Sequence, residues 1–358
     1  MIASAEMGNS VGDTNYLTDV ITKQSIYAGA GILFYFICMH TKLYKREVYF
    51  FYILYILLLA ALISCRFFSP ANGAYAWIRF GGYTVQPSEF AKVFMILFGA
   101  RLLGDDHHER NYNNFVIFAV ASLICVFIIF VIQNDLGSSV VLLSICFCIA
   151  FIPPYKELKK YQKWMRRIIF AVIILIGIMM LPPVTDFLKK FSGDYRIARF
   201  LAAADPFLYR YDNGYHVIMA LVSFANGGIF GLGYGNSIHK YMNFPNPSND
   251  FILPVIVEEL GIVGFVAFVA GYCLMLIPLV RASLKTENYG SKMVYLGVFT
   301  YFVVHFILNI GGVSAFIPLT GVPLLLISSG GSSLVASLMG LGFAQCEMLR
   351  EKENEQWE

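Results

Sequence analysis

Charge is what this chain has least of. Of its 358 residues only 14% are Asp, Glu, Lys or Arg, while 58% are hydrophobic. Soluble domains carry roughly 25% charged residues, so a chain this apolar could not cover a water-facing surface. The net charge of +3 is too small to point to nucleic acid and instead reflects basic loops. None of the seven cysteines (Cys38, Cys65, Cys125, Cys146, Cys148, Cys273 and Cys346) forms a CxxC pair. All lie in or beside apolar runs, so no disulfide framework or zinc site is visible and they are expected to be small buried hydrophobes. The first twenty residues are polar and acidic, not the pattern of a cleavable signal peptide. No tandem repeat, low-complexity tract or soluble domain is visible, and residues 1–358 read as one membrane domain.

Long apolar runs are what the chain has instead. They lie near residues 24–40, 48–66, 88–104, 112–132, 135–153, 167–182, 251–280, 292–316 and 321–346, and a bilayer-crossing helix needs about twenty such residues. The expected fold is therefore all-α, a polytopic membrane helical bundle of about nine spans. Gly321, Pro323, Gly330 and Gly331 interrupt the start of the last run, whose first part is expected to be non-helical. Residues 213–235 are apolar but glycine-rich and read as a re-entrant or interfacial segment. The runs at 112–132 and 135–153 have almost no loop between them and imply a tight hairpin.

Lys and Arg set the orientation. Lys42, Lys45 and Arg46 lie in one loop, Lys156, Lys159, Lys160, Lys163, Arg166 and Arg167 in another, and Arg281, Lys285 and Lys292 in a third. With nine spans these loops, and the C-terminal Arg350 and Lys352, share one side, the cytoplasmic one, and the N-terminus falls outside. The segments near 67–88, 183–250 and 315–322 then face outward. The 183–250 segment is a large extracytoplasmic loop, and loops of such length usually carry function.

The outward segments hold the polar residues. Trp77 and Tyr83 suit an aromatic belt at headgroup level, and Arg79 is a surface cation suited to a phosphate or headgroup. Gln86-Pro87-Ser88-Glu89 reads as a helix start, with Pro at N1 and an acid in the first turn. Lys92, one turn deeper, costs about 2.5–3.5 kcal/mol within a span, so it either pairs with Glu89 or faces a watery cavity. Asp135 is placed to cap the helix that follows. Arg196 and Arg199 precede Tyr215-His216 and the glycines Gly227, Gly228, Gly231, Gly233 and Gly235. Such backbone permits close approach to a ligand, though no Walker lysine follows. Asp250 stands at the mouth of the next span, as a helix cap or a functional carboxylate. Glu258 and Glu259 lie two turns further in and need interior partners, with Lys92 one candidate. The stretch from Asn309 to Ser333 breaks its helix at Pro318, Gly321 and Pro323, and its Ser328, Ser329, Ser332 and Ser333 suit close helix packing.

With AWIRF…QPSEFAK, QNDLG, the glycine series followed by NDF…EELGIVG, and PLTGVPLLLISSGGSS in that order, the chain resembles the SEDS family (shape, elongation, division and sporulation), which includes FtsW, RodA and SpoVE. The likeness runs from about residue 20 to 346 and is closer to FtsW and SpoVE than to RodA. It implies a peptidoglycan glycosyltransferase that polymerises glycan strands from lipid II, working with a class B penicillin-binding protein and other divisome or elongasome membrane proteins in the bacterial cytoplasmic membrane. Carried over by position, Asp250 is the implied catalytic carboxylate. Arg79, Arg196, Arg199 and Lys240 are outer-face cations for the pyrophosphate leaving group. Trp77, Glu89, Lys92, Glu258 and Glu259 match family positions implied to line the same cavity. No ligand cluster requires a metal, although a divalent cation (Mg or Mn) bridging Asp250 and pyrophosphate is compatible with the pattern. The chain departs from the family at His216 (a glutamine there), Leu232 (a lysine) and Asn246 (a glutamate). Family members have ten spans, and MIASAE resembles the end of the first, so the expected architecture is a ten-span fold lacking its first helix. A lipid II flippase and a non-catalytic scaffold recruiting a transpeptidase are the alternative functions.

Overall fold

The computed structural model describes residues 1–7, 14–41, 46–71, 73–104, 112–152, 159–179, 182–189, 195–211, 213–241 and 247–355. Lys42, Lys45, Lys156 and Asn246 lie outside the described residues. The helices are α1 (Ile2–Glu6), α2 (Thr14–His40), α3 (Val48–Ser64), α4 (Pro87–Leu103), α5 (Tyr112–Phe127), α6 (Leu136–Phe151), α7 (Lys159–Met179), α8 (Pro182–Leu188), α9 (Tyr195–Ala204), α10 (Asn213–Gly227), α11 (Ile252–Lys285), α12 (Tyr289–Val313) and α13 (Gly331–Glu355). Among the described residues six helices are long and apolar enough to cross a membrane: α2, α3, α5 with its extension, α11, α12 and α13. Each of the nine apolar runs coincides with a helix. α4 and α6 are shorter, and α7 carries five basic residues in its first half. The expected break before the last helix is present, because residues 314–330 are non-helical and α13 starts at Gly331.

The chain divides into two compact units. Unit 2 comprises Lys23–Gln162, Leu274–Val304 and Gly330–Glu358. Its centre is α4, which is apolar on every side and buried along almost its whole length, the pattern of a fully enclosed helix. α3, α5, α6 and α13 surround it. Phe98 of α4 stacks on Tyr55 and Phe51 of α3, with ring centroids 5.9 and 6.2 Å apart. α5 ends in a π-helical turn, Ile128–Ile132, and after two residues α6 begins, the tight hairpin that the sequence implies. Asp135 caps α6 through the Ser138 amide, 3.0 Å away.

The two ends of unit 2 differ in chemistry. At one end Arg101 Nε donates to the Arg46 carbonyl at 2.8 Å, and Ser291 and Arg350 donate to Glu347. At the other end lies a short antiparallel hairpin, β1 (Ile78–Phe80) with β2 (Tyr83–Val85). Its two-residue turn, Gly81-Gly82, has φ of +50° and +88°. A type I′ hairpin turn requires positive φ at both central residues, which glycine supplies without strain. This hairpin is an addition to the all-α expectation.

Unit 1 comprises Met1–Thr22, Lys163–Cys273 and His305–Ser329. Its core gathers Ala5 of α1, Ala220 of α10, Phe251, the first turns of α11 (Ile252, Leu253, Val255, Ile256, Val257), Val313 of α12 and Leu324. The 183–250 segment is largely structured, containing α8, α9 and α10 and a 3-10 turn at His239–Tyr241. α10, at 15 residues, spans about 22 Å and is followed by the glycine series.

Candidate functional site

Unit 1 carries Asp250, and its neighbours explain how that residue is held. Asp250 lies in the turn before α11 and is half-buried. Asn309 of α12 donates its side-chain amide to two carbonyls, those of Asp250 and Val322, both at 2.9 Å. Ser328 Oγ donates to the Asn249 carbonyl at 2.7 Å, and the Ser329 amide to the Ser248 carbonyl at 2.8 Å. Ser248 Oγ lies 3.0 Å from Ser329 Oγ and donates to the buried Glu6 carboxylate of α1. A Cβ placed on Gly321, whose φ is +70°, would stand 3.5 Å from Asp250 Oδ2. The proline- and glycine-broken stretch after α12 therefore clamps residues 248–250. Its Ser328 and Ser329, expected to serve close helix packing, bind this turn instead. His216, at the family's glutamine position, packs its ring edge-on to Phe251, 6.1 Å between centroids.

Below Asp250 the two adjacent carboxylates of α11 are fully buried and each has its own partners. Glu258 accepts from Ser237 Oγ, and its Oε1 lies 2.6 Å from His239 Nδ1. Glu259 Oε1 accepts from Ser4 Oγ at 2.5 Å and pairs with Lys240 Nζ at 3.1 Å. Lys240 Nζ also donates to the Gly235 carbonyl at 2.6 Å and to Ser4 Oγ at 3.1 Å. Lys240, expected as an outer-face cation for pyrophosphate, is instead buried. A buried carboxylate needs a compensating charge, and Lys240 supplies it to Glu259. Sequence reading missed Ser4, Glu6, Ser237, His239 and Ser248. Ser4 lies 255 positions from its partner, and no local pattern announces such a bond.

The glycine series has an equally specific role. α11 breaks at Gly261, with φ +67° and ψ −168°. In an unbroken helix the amides of residues 262 and 263 would bond to the carbonyls of 258 and 259. Here the Glu258 and Glu259 carbonyls accept from the Leu232 and Gly233 amides at 2.9 and 3.0 Å. The Ile262 and Val263 amides donate to the Gly228 and Ile229 carbonyls at 3.0 and 3.1 Å. Two lost helical bonds are thus replaced by four between segments. The backbones lie so close that a Cβ on Gly227, Gly231 or Gly261 would collide with a carbonyl oxygen of Val257, Glu259 or Ile229. The close approach inferred from these glycines is to α11 rather than to a ligand.

α9 carries Arg196 and Arg199, whose side chains lie outside the described ones. On unit 2, Arg79 of β1 is exposed and donates to Ser69 Oγ at 3.1 Å, and Trp77, just before β1, is half-buried. Glu89 and Lys92 form a buried pair at 2.6 Å, and Tyr301 OH donates to the other Glu89 oxygen at 2.8 Å. That pair stands where a cavity-facing Lys92 was the alternative, and Lys240 takes the role beside Glu259 for which Lys92 was one candidate. Gln86, at the start of α4, reaches Asp135 Oδ2 at 3.1 Å, and its amide donates to Ser332 Oγ at 2.9 Å. Three of the four sequence motifs therefore meet at one end of this unit.

Comparison with known proteins bears on the family and the fold. The profile of the FtsW, RodA and SpoVE family, described as cell cycle protein, matches residues 1–350. Stage V sporulation protein E of Bacillus subtilis is 28% identical over 330 residues, covering 89% of this chain and 84% of that protein. The probable peptidoglycan glycosyltransferase FtsW of the same organism is 34% identical over 289 residues, covering 79% of this chain and 69% of that one. Among solved structures, a chain of a peptidoglycan synthase complex superposes with a TM-score of 0.72 at 24% identity, covering 97% of this chain and 95% of its own, which is a likeness of fold. A multi-pass membrane chain with these motifs, matched over nearly its whole length, belongs to the FtsW, RodA and SpoVE family of cell cycle proteins.

Proposed function

We propose that the chain is a peptidoglycan glycosyltransferase that polymerises glycan strands from lipid II at the outer face of the bacterial cytoplasmic membrane, in division or sporulation. The observation that carries the proposal is the clamp on residues 248–250, which fixes the backbone of the turn that presents the half-buried Asp250 at the start of α11. Relatives named as probable peptidoglycan glycosyltransferases support the reaction class. Basic residues at the ends of α6–α7, α11–α12 and α13 support a cytoplasmic C-terminus and an outward N-terminus and Asp250.

In this reading Asp250 is the general base. It takes the proton of the acceptor sugar's 4-hydroxyl as that oxygen attacks the donor's anomeric carbon. The bond from that carbon to undecaprenyl pyrophosphate breaks, and the anomeric configuration inverts. The leaving group departs with its negative charge, which needs cations. Arg196 and Arg199 of the same unit are the residues assigned to it, and Arg79 of unit 2 is a separate candidate for a headgroup or phosphate. Glu258, Glu259 and Lys240 support the loop and α11 from beneath rather than touching substrate. Among the described residues no group of three His, Cys, Asp or Glu side chains is arranged to hold a metal. A Mg or Mn ion there, with Asp250 as the residue to hold it, would supply positive charge to the pyrophosphate leaving group. The solved relative comes from work on polymerization and crosslinking by a peptidoglycan synthase complex, which supports a class B penicillin-binding protein as the partner.

The test is polymerisation of purified lipid II with and without the cognate penicillin-binding protein. Asp250→Ala is expected to abolish glycan formation while the chain still expresses and elutes as wild type. Unchanged polymerisation removes Asp250 as the base. A wild-type chain that binds its partner but makes no glycan supports the scaffold reading, which draws on the substituted positions His216 and Leu232.

A further inference from the structure

The glycine loop of unit 1 turns an apolar face outward. Ile229, Phe230, Leu232 and Tyr234 are exposed, Phe230 at 80%, and Ile238 and Tyr241 extend the patch. This face is carried on backbone that cannot wander, because residues 228–233 are bonded to residues 258–263 of α11. Their level along α11 is therefore known. From Gly261 to Val280 the helix has twenty residues without a charge, and Arg281 ends the run. At 1.5 Å per residue twenty residues measure about 30 Å, the thickness of the hydrocarbon core. The break at Gly261 thus falls at one hydrocarbon boundary, and the loop lies beside it. Past the break, Ile262, Val263 and Val266 are exposed as well, so the loop's apolar face continues the lipid-facing surface of α11. Aromatic rings concentrate at this level in membrane proteins, and irregular backbone is tolerated there when its polar groups are paired within the protein, as the Leu232 and Gly233 amides and the Gly228 and Ile229 carbonyls are with α11.

We infer that the loop from Gly228 to Tyr241 is a membrane-interface anchor, with Ile229, Phe230, Leu232 and Tyr234 seated among the upper acyl chains of the bilayer. The helical stretch from Ile252 to Gly261 spans about 14 Å, so the anchor also sets the height of the Asp250 turn above the hydrocarbon. This inference does not depend on which residue is the base, and its test reads no catalytic activity.

Phe230→Cys is made in a chain whose exposed Cys273 is replaced by alanine, and the protein is reconstituted in phosphatidylethanolamine–phosphatidylglycerol vesicles. A membrane-impermeant maleimide added on both sides should label position 230 about tenfold or more slowly than a cysteine placed at the exposed, charged Asp205 of the same unit, because acyl chains exclude the probe. A bimane attached at that cysteine in detergent and then reconstituted should be quenched more by a nitroxide high on the acyl chain than by one near its end. In membranes, a photoreactive benzoylphenylalanine at position 230 should yield phospholipid adducts. Labelling as fast as at position 205, quenching strongest from the chain end, or adducts to a second protein in place of lipid would each overturn the inference.

Discussion

Lys240→Met puts the buried network to a quantitative test. At 3.1 Å the Lys240–Glu259 attraction is about 5 kcal/mol with an effective dielectric near 20. The substitution keeps the length and apolar stem of the side chain but leaves Glu259 buried, with Ser4 its remaining donor; Glu259 Oε2 already lacks a hydrogen-bond partner. Breaking a buried pair from one side costs about 3–5 kcal/mol. At roughly 2–4 °C per kcal/mol this lowers the unfolding midpoint by roughly 6–20 °C. Adding Glu259→Gln removes the stranded charge, so the double variant should recover at least about half of the loss. The assay is the midpoint of the detergent-solubilised chain, followed by fluorescence-detected gel filtration after heating, for the wild type, both single variants and the double. If Lys240→Met shifts the midpoint by less than about 2 °C, or the double variant is no more stable than the single, the pair does not compensate charge as described.

Other substitutions probe the remaining contacts. Gly261→Ala forces a side chain into positive φ and into the Ile229 carbonyl, and should cost at least about 3 kcal/mol, read as loss of monodisperse protein. Asn309→Ala strands the carbonyls of Asp250 and Val322. Per mole of folded, monodisperse protein it should cut kcat for lipid II polymerisation about tenfold with a smaller change in KM, and a loss that disappears once rates are normalised to the folded fraction would point to general unfolding instead. Tyr301→Phe removes one donor from the buried Glu89 and should cost about 1.5–3 kcal/mol of stability, visible as a lower midpoint in the same heating assay.

Helices were legible because apolar runs of bilayer length have one dominant solution. The Asp135 cap was legible because a cap is local, three residues from its donor. The β1–β2 hairpin was legible in principle, since Gly81-Gly82 between short β-rich runs is a turn signal, but the surrounding helical pattern masked it. The partners of Glu258 and Glu259 were not. Burial of two carboxylates demands partners, yet nothing in sequence spacing distinguishes Lys240 from Lys92, and Ser4 is a residue that composition never singles out. The glycine series was readable as close approach but not as approach to what, because its partner is a break in another element. Asp250 was found through family likeness. Physics alone leaves it between a helix cap and a functional acid, and the bonds from Asn309, Ser328 and Ser329, which fix the backbone of its turn, could not be read from the sequence because each partner lies at least 59 positions away.

The bond from Ser4 to Glu259 carries a consequence for how the chain is made. The two residues are separated by 255 positions. At about 5–20 residues per second the ribosome delivers Glu259 roughly 13–50 s after Ser4. For that interval α1 has its hydroxyl and its Glu6 carboxylate but none of their unit 1 partners beyond residue 22. During synthesis the first residues of unit 1 therefore wait without these partners, and the network around Glu259 closes only when α11 arrives.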